Sequence, residues 1–77
     1  MSISSLRVDV ENLLQESGFP PEHYIVNTYE HCIAVHFDLK EAVEYLRGDF
    51  EFSPLAKKCV FEYKKYGKKH AAYIYFL

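Results

Sequence analysis

The hydrophobic period of the sequence changes at residues 18–21, and this change constrains the fold more than any other feature. Before it, over residues 4–17, apolar side chains recur at three- and four-residue spacing, which is typical of an amphipathic helix. Ser4 or Ser5 can cap the start of this helix, and Gly18 can adopt the left-handed conformation that often ends one. Pro20 and Pro21 cannot continue it, because proline lacks a backbone N–H and clashes with the preceding turn. The sequence therefore predicts a first helix that ends before residue 18.

Residues 24–37 are rich in β-branched and aromatic side chains, which favour strands. The segment is too long for one typical strand, and residues 27–30 are the best place for a turn. We therefore expect strands at about 24–28 and 31–37. In the second of these, Ile33, Val35 and Phe37 alternate with smaller or polar residues, so one face of the strand is predicted to be buried.

A second helix is predicted to begin at Asp38, because Glu41 follows three residues later in a pattern close to a capping box. Gly48 is predicted to end this helix, and residues 49–55 to form a loop that turns Phe50 and Phe52 into the core. The apolar stripe of the helix consists of Leu39, Ala42, Val43 and Leu46.

Two further strands are predicted at residues 56–64 and 70–77, joined by a turn at Tyr66 and Gly67. The order is then helix-strand-strand-helix-strand-strand over a single domain, residues 1–77. Short connections favour an antiparallel sheet with both helices on one face. The predicted class is a small two-layer α+β domain.

Composition indicates the compartment. Seven Tyr and six Phe supply bulk for a small core. Two cysteines do not make the disulfide framework of a small secreted protein, and the chain does not begin with a basic segment followed by an apolar run. The longest apolar stretch, residues 71–77, is far shorter than the ~20 residues that span a bilayer. We expect a cytoplasmic protein with free thiols and no membrane partner.

Charge is divided unevenly along the chain. Residues 1–51 hold three basic and ten acidic residues, a balance of −7, whereas residues 52–77 hold six lysines and one acid, a balance of +5. Such asymmetry can indicate an anionic partner. The predicted binding surface consists of Lys58, Lys64, Lys65, Tyr66, Lys68, Lys69, Tyr73 and Tyr75. Lysines near a turn can equally protect edge strands or pair with acidic groups of the same chain.

The segment Lys69–Phe76, KHAAYIYF, resembles the main RNA-contacting strand of the RNA recognition motif. His70 stands where that strand has glycine, and Ala71 where it has a stacking aromatic residue. The likeness covers eight residues and does not assign the family; it implies only an aromatic sheet face. The positions that match are Lys69, Ala72, Tyr73, Ile74 and Phe76.

No motif for catalysis, a metal or a nucleotide is present, and we predict no enzyme activity and no cofactor. Of the histidines and cysteines, only Cys32 and His36 have a spacing near that of metal ligands, and on a strand they lie too far apart to chelate one ion. The predicted function is a protein-interaction module that associates with itself or that binds or inhibits a larger protein. The last strand, apolar or aromatic on both faces, can also add to another sheet edge. The alternative is RNA or DNA binding through the basic, tyrosine-rich C-terminal hairpin.

Overall fold

The computed structural model describes residues 2–77, which form a four-stranded antiparallel sheet with two helices on one of its faces. The predicted two-layer α+β class and the predicted order of elements are confirmed. Among residues 2–77, no helix is long and apolar enough to cross a membrane. In chain order the elements are α1 (Ile3–Glu16), a 3-10 turn (Pro21–His23), β1 (Tyr24–Thr28), β2 (Ile33–Phe37), α2 (Lys40–Glu51), a 3-10 turn (Pro54–Lys57), β3 (Cys59–Tyr66) and β4 (Lys69–Phe76).

The strands lie in the order β1-β2-β4-β3, and each neighbouring pair is antiparallel. β2 and β3 are therefore parallel to each other, as the crossover through α2 requires, and β4 fills the gap between them. β4 reaches this gap through a tight turn at Gly67, whose φ of 55° is the left-handed conformation that such turns need. The last strand is not free to add to another sheet edge, because β4 is paired on both sides. The free edges are β1 and β3.

The core lies between the sheet and the two helices. The register places Val35 opposite Ala72 and Ile33 opposite Ile74, so these side chains point to the same face. Fully burying a side chain of the size of Leu or Ile stabilises a fold by about 1.5–3 kcal/mol, so this small set carries much of the stability. The largest fully buried side chains are Phe37, Leu6, Leu14, Ile33, Leu46, Ile74, Val10, Val35 and Val43.

α1 begins slightly earlier than predicted, because Ser2 and not Ser4 or Ser5 is its N-cap. The Ser5 backbone N–H donates to Ser2 Oγ at 3.2 Å, which satisfies one of the free donors of the first turn. The helix ends as predicted: Gly18 has a φ of 83°, and the Phe19 N–H donates to the Leu14 carbonyl at 3.1 Å.

α2 departs from its prediction at both ends. It begins at Lys40, with Leu39 at the N-cap position and no side-chain cap, because the Asp38 carboxylate binds Lys69 instead. It continues through Gly48 to Glu51, because Phe50 in the last turn is buried in the core.

The predicted loop at residues 49–55 is therefore partly helical, and only one of its two phenylalanines is buried. Phe50 is 4% exposed, whereas Phe52, which follows the helix, is 94% exposed. The 3-10 turn Pro54–Lys57 then delays β3 to Cys59, three residues later than predicted.

Candidate functional site: the open face and free edge of the sheet

The sheet has one face that lies away from both helices, which we call the open face. Because strand residues alternate, Tyr73 and Tyr75 point to this face while Ala72, Ile74 and Phe76 point to the core. The strand residues of the open face are Ile25, Asn27, Ala34, His36, Val60, Glu62, Lys64, Tyr66, Lys69, Ala71, Tyr73 and Tyr75.

Tyr73 lies at the centre of an aromatic cluster on this face. Its hydroxyl donates to the Tyr66 hydroxyl at 3.1 Å, and its ring stacks nearly parallel to that of Tyr29, with centroids 6.4 Å apart. His36 meets the same ring edge-on at 6.5 Å, and the Lys64 ammonium lies 5.1 Å from its centroid. The hydrogen bond to Tyr66, together with partial desolvation, raises the pKa of Tyr73 to about 12, since both favour the protonated phenol.

Tyr29 is a member of this cluster that the sequence analysis did not include. It follows β1, and its N–H donates to the Cys32 carbonyl at 2.9 Å, so the hairpin ladder extends past the last strand residue. Tyr29 therefore shares the face of Ile25 and Asn27. The alternation of faces from residue 25 onward predicts that Tyr29 lies on the open face. The turn predicted at residues 27–30 masks this pattern.

Tyr75 belongs to the same face but has a different partner. Its hydroxyl donates to Glu62 Oε2 at 3.3 Å. Reduced hydration and the nearby Glu62 carboxylate raise the pKa of Tyr75 above its usual value. Tyr73 and Tyr75 are half-buried, whereas Tyr66 and Tyr29 are about half exposed, at 50% and 47%.

Two lysines of the predicted binding surface pair with acidic residues of the N-terminal part. Lys58 Nζ lies 3.6 Å from the Asp9 carboxylate of α1, at the end of β3 remote from the turn. Lys69 binds Asp38, and this hydrogen bond lowers the pKa of Asp38. Part of the charge asymmetry is thus neutralised within one chain.

The remaining predicted lysines do not form one patch. Lys64 lies on the open face, 3.5 Å from Glu62 as well as over Tyr73. Lys65 points to the helix side of the sheet, since it stands opposite His70 next to the core position Tyr63. Lys68 lies in the turn. The structure thus brings Lys64, Tyr66, Lys69, Tyr73 and Tyr75 to one face and separates Lys58 and Lys65 from it.

The edge strand β3 presents unpaired backbone groups. The Leu77 N–H donates to the Lys58 carbonyl at 3.1 Å, which fixes the phase of the β3–β4 ladder. The even-numbered residues of β3 therefore direct their backbone N–H and C=O groups toward β4. The backbone groups of the odd-numbered residues Phe61, Tyr63 and Lys65 point outward. Within residues 2–77, these outward groups have no backbone hydrogen-bond partner. β3 is eight residues long, against five for the other edge strand, β1.

The cysteines and histidines lie apart from one another. Cys59 is buried in the core and Cys32 is half-buried near the open face, and burial raises the pKa of both thiols. His70 Nδ1 is 2.7 Å from the Tyr63 hydroxyl on the helix side. The His36 Nε2 atom is buried under the open face and has no hydrogen-bond partner among residues 2–77. No three His, Cys, Asp or Glu side chains within these residues are arranged to hold a metal ion.

A shallow cleft of about 280 Å³ lies on the helix side of the sheet, where the end of α1 approaches the start of α2. Its walls are mainly apolar, and His23 and Asp38 are its only titratable side chains. Its lining residues are Phe19, His23, Phe37, Asp38, Leu39 and Ala42.

A scan against protein-family models and searches of curated proteins and of solved structures found no match to this chain. Any functional proposal therefore depends on the geometry of the chain's own residues.

Proposed function

We propose that this chain is a non-enzymatic protein-interaction module that associates with a second copy of itself. The observation that carries the proposal is the free edge of β3, where the backbone groups of Phe61, Tyr63 and Lys65 lack partners. An exposed edge of this length is a template for strand addition. The strand is also bordered by the tyrosine-rich open face, and tyrosine is enriched at protein interfaces.

The distribution of charge supports a protein partner over a nucleic acid. Lys58, Lys64 and Lys69 each lie beside a carboxylate of the same chain. Binding of a phosphate backbone requires several cations that are available to replace counterions. Because Lys64 and Lys69, the two lysines that lie on the open face, are both paired, the cationic field of that face is reduced.

A second candidate is binding of single-stranded RNA or DNA, which one observation favours. The Lys64 ammonium lies over the Tyr73 ring, and Tyr29 and Tyr66 flank that ring with about half of their surface exposed. Aromatic rings beside a cation are the usual means of stacking bases while contacting phosphate, and stacking contributes about 1–3 kcal/mol per base.

Sedimentation velocity over a wide range of protein concentration tests the main proposal. We expect a reversible shift from monomer to dimer, with a weak affinity because an edge-to-edge contact is small. A strict monomer at all concentrations contradicts self-association, and the module would then have to bind or inhibit a different protein.

Titration of labelled single-stranded and duplex RNA and DNA, at low and near-physiological salt, tests the second candidate. Binding that weakens steeply with salt, and that is lost when Lys64, Lys65, Lys68 and Lys69 are replaced together by Ser, would support it. No binding at low salt would exclude it. Replacement of Lys57 by Ser is the matched control, since this lysine lies in the 3-10 turn before β3.

We also propose that the protein works in a reducing compartment such as the cytoplasm. Cys32 and Cys59 are both free thiols, and they lie on opposite faces of the sheet. A secreted domain of this size would normally depend on disulfides.

A further inference from the structure

We propose that two copies of this chain pair antiparallel along β3 in one particular register, with Tyr63 opposite itself and Glu62 of each copy opposite Lys64 of the other. This inference rests on the self-association proposed above and adds its geometry. The product is a continuous eight-stranded sheet with a two-fold axis perpendicular to it at Tyr63.

Symmetry limits the registers that two identical strands can adopt. A two-fold axis that relates antiparallel strands of one sheet is perpendicular to the sheet, so both copies keep their helices on the same side. Residues directly opposite each other point to the same face. Each β3 residue can therefore face only residues an even number of positions away, and one residue must face itself.

The registers centred on Glu62 and on Tyr63 each pair seven of the eight residues of β3, those centred on Phe61 and on Lys64 each pair five, and charge discriminates between them. If Glu62 faces itself, two carboxylates are opposed; if Lys64 faces itself, two ammonium groups are opposed. Like charges directly opposite each other destabilise a strand pair, whereas opposite charges stabilise it. Only the register centred on Tyr63 places Glu62 opposite Lys64, and symmetry makes this contact twice. The register centred on Phe61 places Glu62 opposite Val60 and gains no charge pair within β3, and registers centred nearer either end pair three residues or fewer.

The backbone fits this register. Its axis passes through Tyr63, one of the residues whose N–H and C=O point outward, and it aligns the outward groups of Phe61 with those of Lys65. The alternating pattern of an antiparallel ladder then gives about six new hydrogen bonds between the two copies.

The side chains on the open face fit as well. Val60 of one copy lies opposite Tyr66 of the other, which covers part of a ring that is half exposed in the single chain. Lys64 already lies 3.5 Å from its own Glu62, so both charges are held on the same face of β3. Lysines on an edge strand ordinarily oppose pairing with another chain. Here the facing carboxylate removes that penalty for one register only.

The dimer has a consequence for the open face. Because the two-fold axis keeps both open faces on the same side, the tyrosine clusters of the two copies form one continuous surface eight strands wide. Any partner of that surface would meet two identical sites, so its binding would be strengthened by avidity.

Charge exchange tests the register. Glu62→Lys and Lys64→Glu should each weaken dimerisation by about tenfold or more, since two attractive pairs become repulsive. The double variant E62K/K64E restores opposite charges and should recover an affinity within a few-fold of the native chain. Glu22→Lys, an exposed change in the 3-10 turn before β1, is the control for net charge. Circular dichroism checks that each variant is folded.

Cysteine cross-linking gives an independent readout. In a Cys32→Ser background, Tyr63→Cys should form a disulfide-linked dimer more readily than Glu62→Cys or Lys64→Cys, because only the residue on the axis brings its two Cα atoms within the ~7 Å that a disulfide can bridge. A dimer that ignores the charge exchange, or that cross-links best at position 62 or 64, overturns this geometry while self-association stands. A chain that never dimerises overturns both.

Discussion

The Tyr73 hydroxyl donates a hydrogen bond to the Tyr66 hydroxyl at 3.1 Å, and this contact joins the central strand β4 to the edge strand β3 on the open face. It links Tyr73, at the centre of the aromatic cluster, to Tyr66, which lies opposite Val60 of the second copy in the proposed dimer. The same contact keeps Tyr73 protonated at high pH, because the hydrogen bond requires the phenolic proton.

A tyrosine that ionises unusually late is therefore expected. The pKa of Tyr73 is raised from 10.0 to about 12, so the folded state binds its proton more tightly than the unfolded state does. Its contribution to stability is complete below pH 10 and is lost as pH rises from 10 to about 12. Ultraviolet titration of tyrosinate should show a last step near pH 12 from Tyr73, later than the step of Tyr75, whose pKa is raised by less.

Two variants identify this step. Tyr73→Phe should remove it, and Tyr66→Phe should move it toward the ordinary range because the acceptor is gone. Tyr45→Phe is the control, since Tyr45 lies on α2, away from the open face. A step near pH 12 that survives in Tyr73→Phe would contradict the assignment.

Asp38 provides a test at low pH. The hydrogen bond from Lys69, and then the charge of that ammonium, hold the pKa of Asp38 below its usual value. A carboxyl with a depressed pKa in the folded state contributes stability above its ordinary pKa and loses it as pH falls toward the depressed value. NMR titration of the Asp38 carboxyl should give a pKa below that of a model peptide, and Lys69→Met should raise it. Lys68→Met, which changes the neighbouring lysine of the turn, should leave it unchanged.

The fold could be predicted from sequence where the signal is local. The bounds of β1, the end of α1 at Gly18 and the alternation of faces in β4 all follow from the period of apolar residues and from backbone conformation. The interior position of β4 could not be predicted this way, because strand order depends on pairing between residues far apart in the chain. For the same reason the sequence does not identify β3 as a free edge of the sheet.

Asp38 and Gly48 show how long-range contacts override local patterns. Asp38 has the sequence context of a helix cap, yet its carboxylate binds Lys69, 31 residues away. Gly48 has the context of a helix stop, yet burial of Phe50 extends the helix beyond it. Of the candidate binding residues, strand alternation correctly groups Tyr73 with Tyr75, but the ion pairs of Lys58 and Lys69 depend on the tertiary fold.

Phe50 and Phe52, only two positions apart, should differ strongly in their importance for stability. Phe50 packs on Phe61 with ring centroids 5.2 Å apart and is 4% exposed, whereas Phe52 is 94% exposed. Phe50→Ala should lower the free energy of unfolding by about 3–5 kcal/mol, whereas Phe52→Ala should change it by about 0.5 kcal/mol or less. Urea denaturation measures both. If Phe50→Ala does not fold, Phe50→Leu should still show a clear loss of stability, and equal effects at positions 50 and 52 would contradict the structure.

The two glycines Gly48 and Gly67 should respond to the same substitution with opposite signs. Gly48 lies inside α2, and a Cβ atom added there would meet nothing within 4 Å. Alanine is favoured over glycine in a helix interior by about 0.5–1 kcal/mol, so Gly48→Ala should raise the free energy of unfolding by this amount. Gly67 also has open space, but its φ is +55°, so Gly67→Ala should lower the free energy of unfolding by about 1 kcal/mol through backbone strain alone. Thermal and urea unfolding of the two variants measures this contrast. Destabilisation by Gly48→Ala would mean that α2 ends before this residue, as the sequence pattern alone predicts.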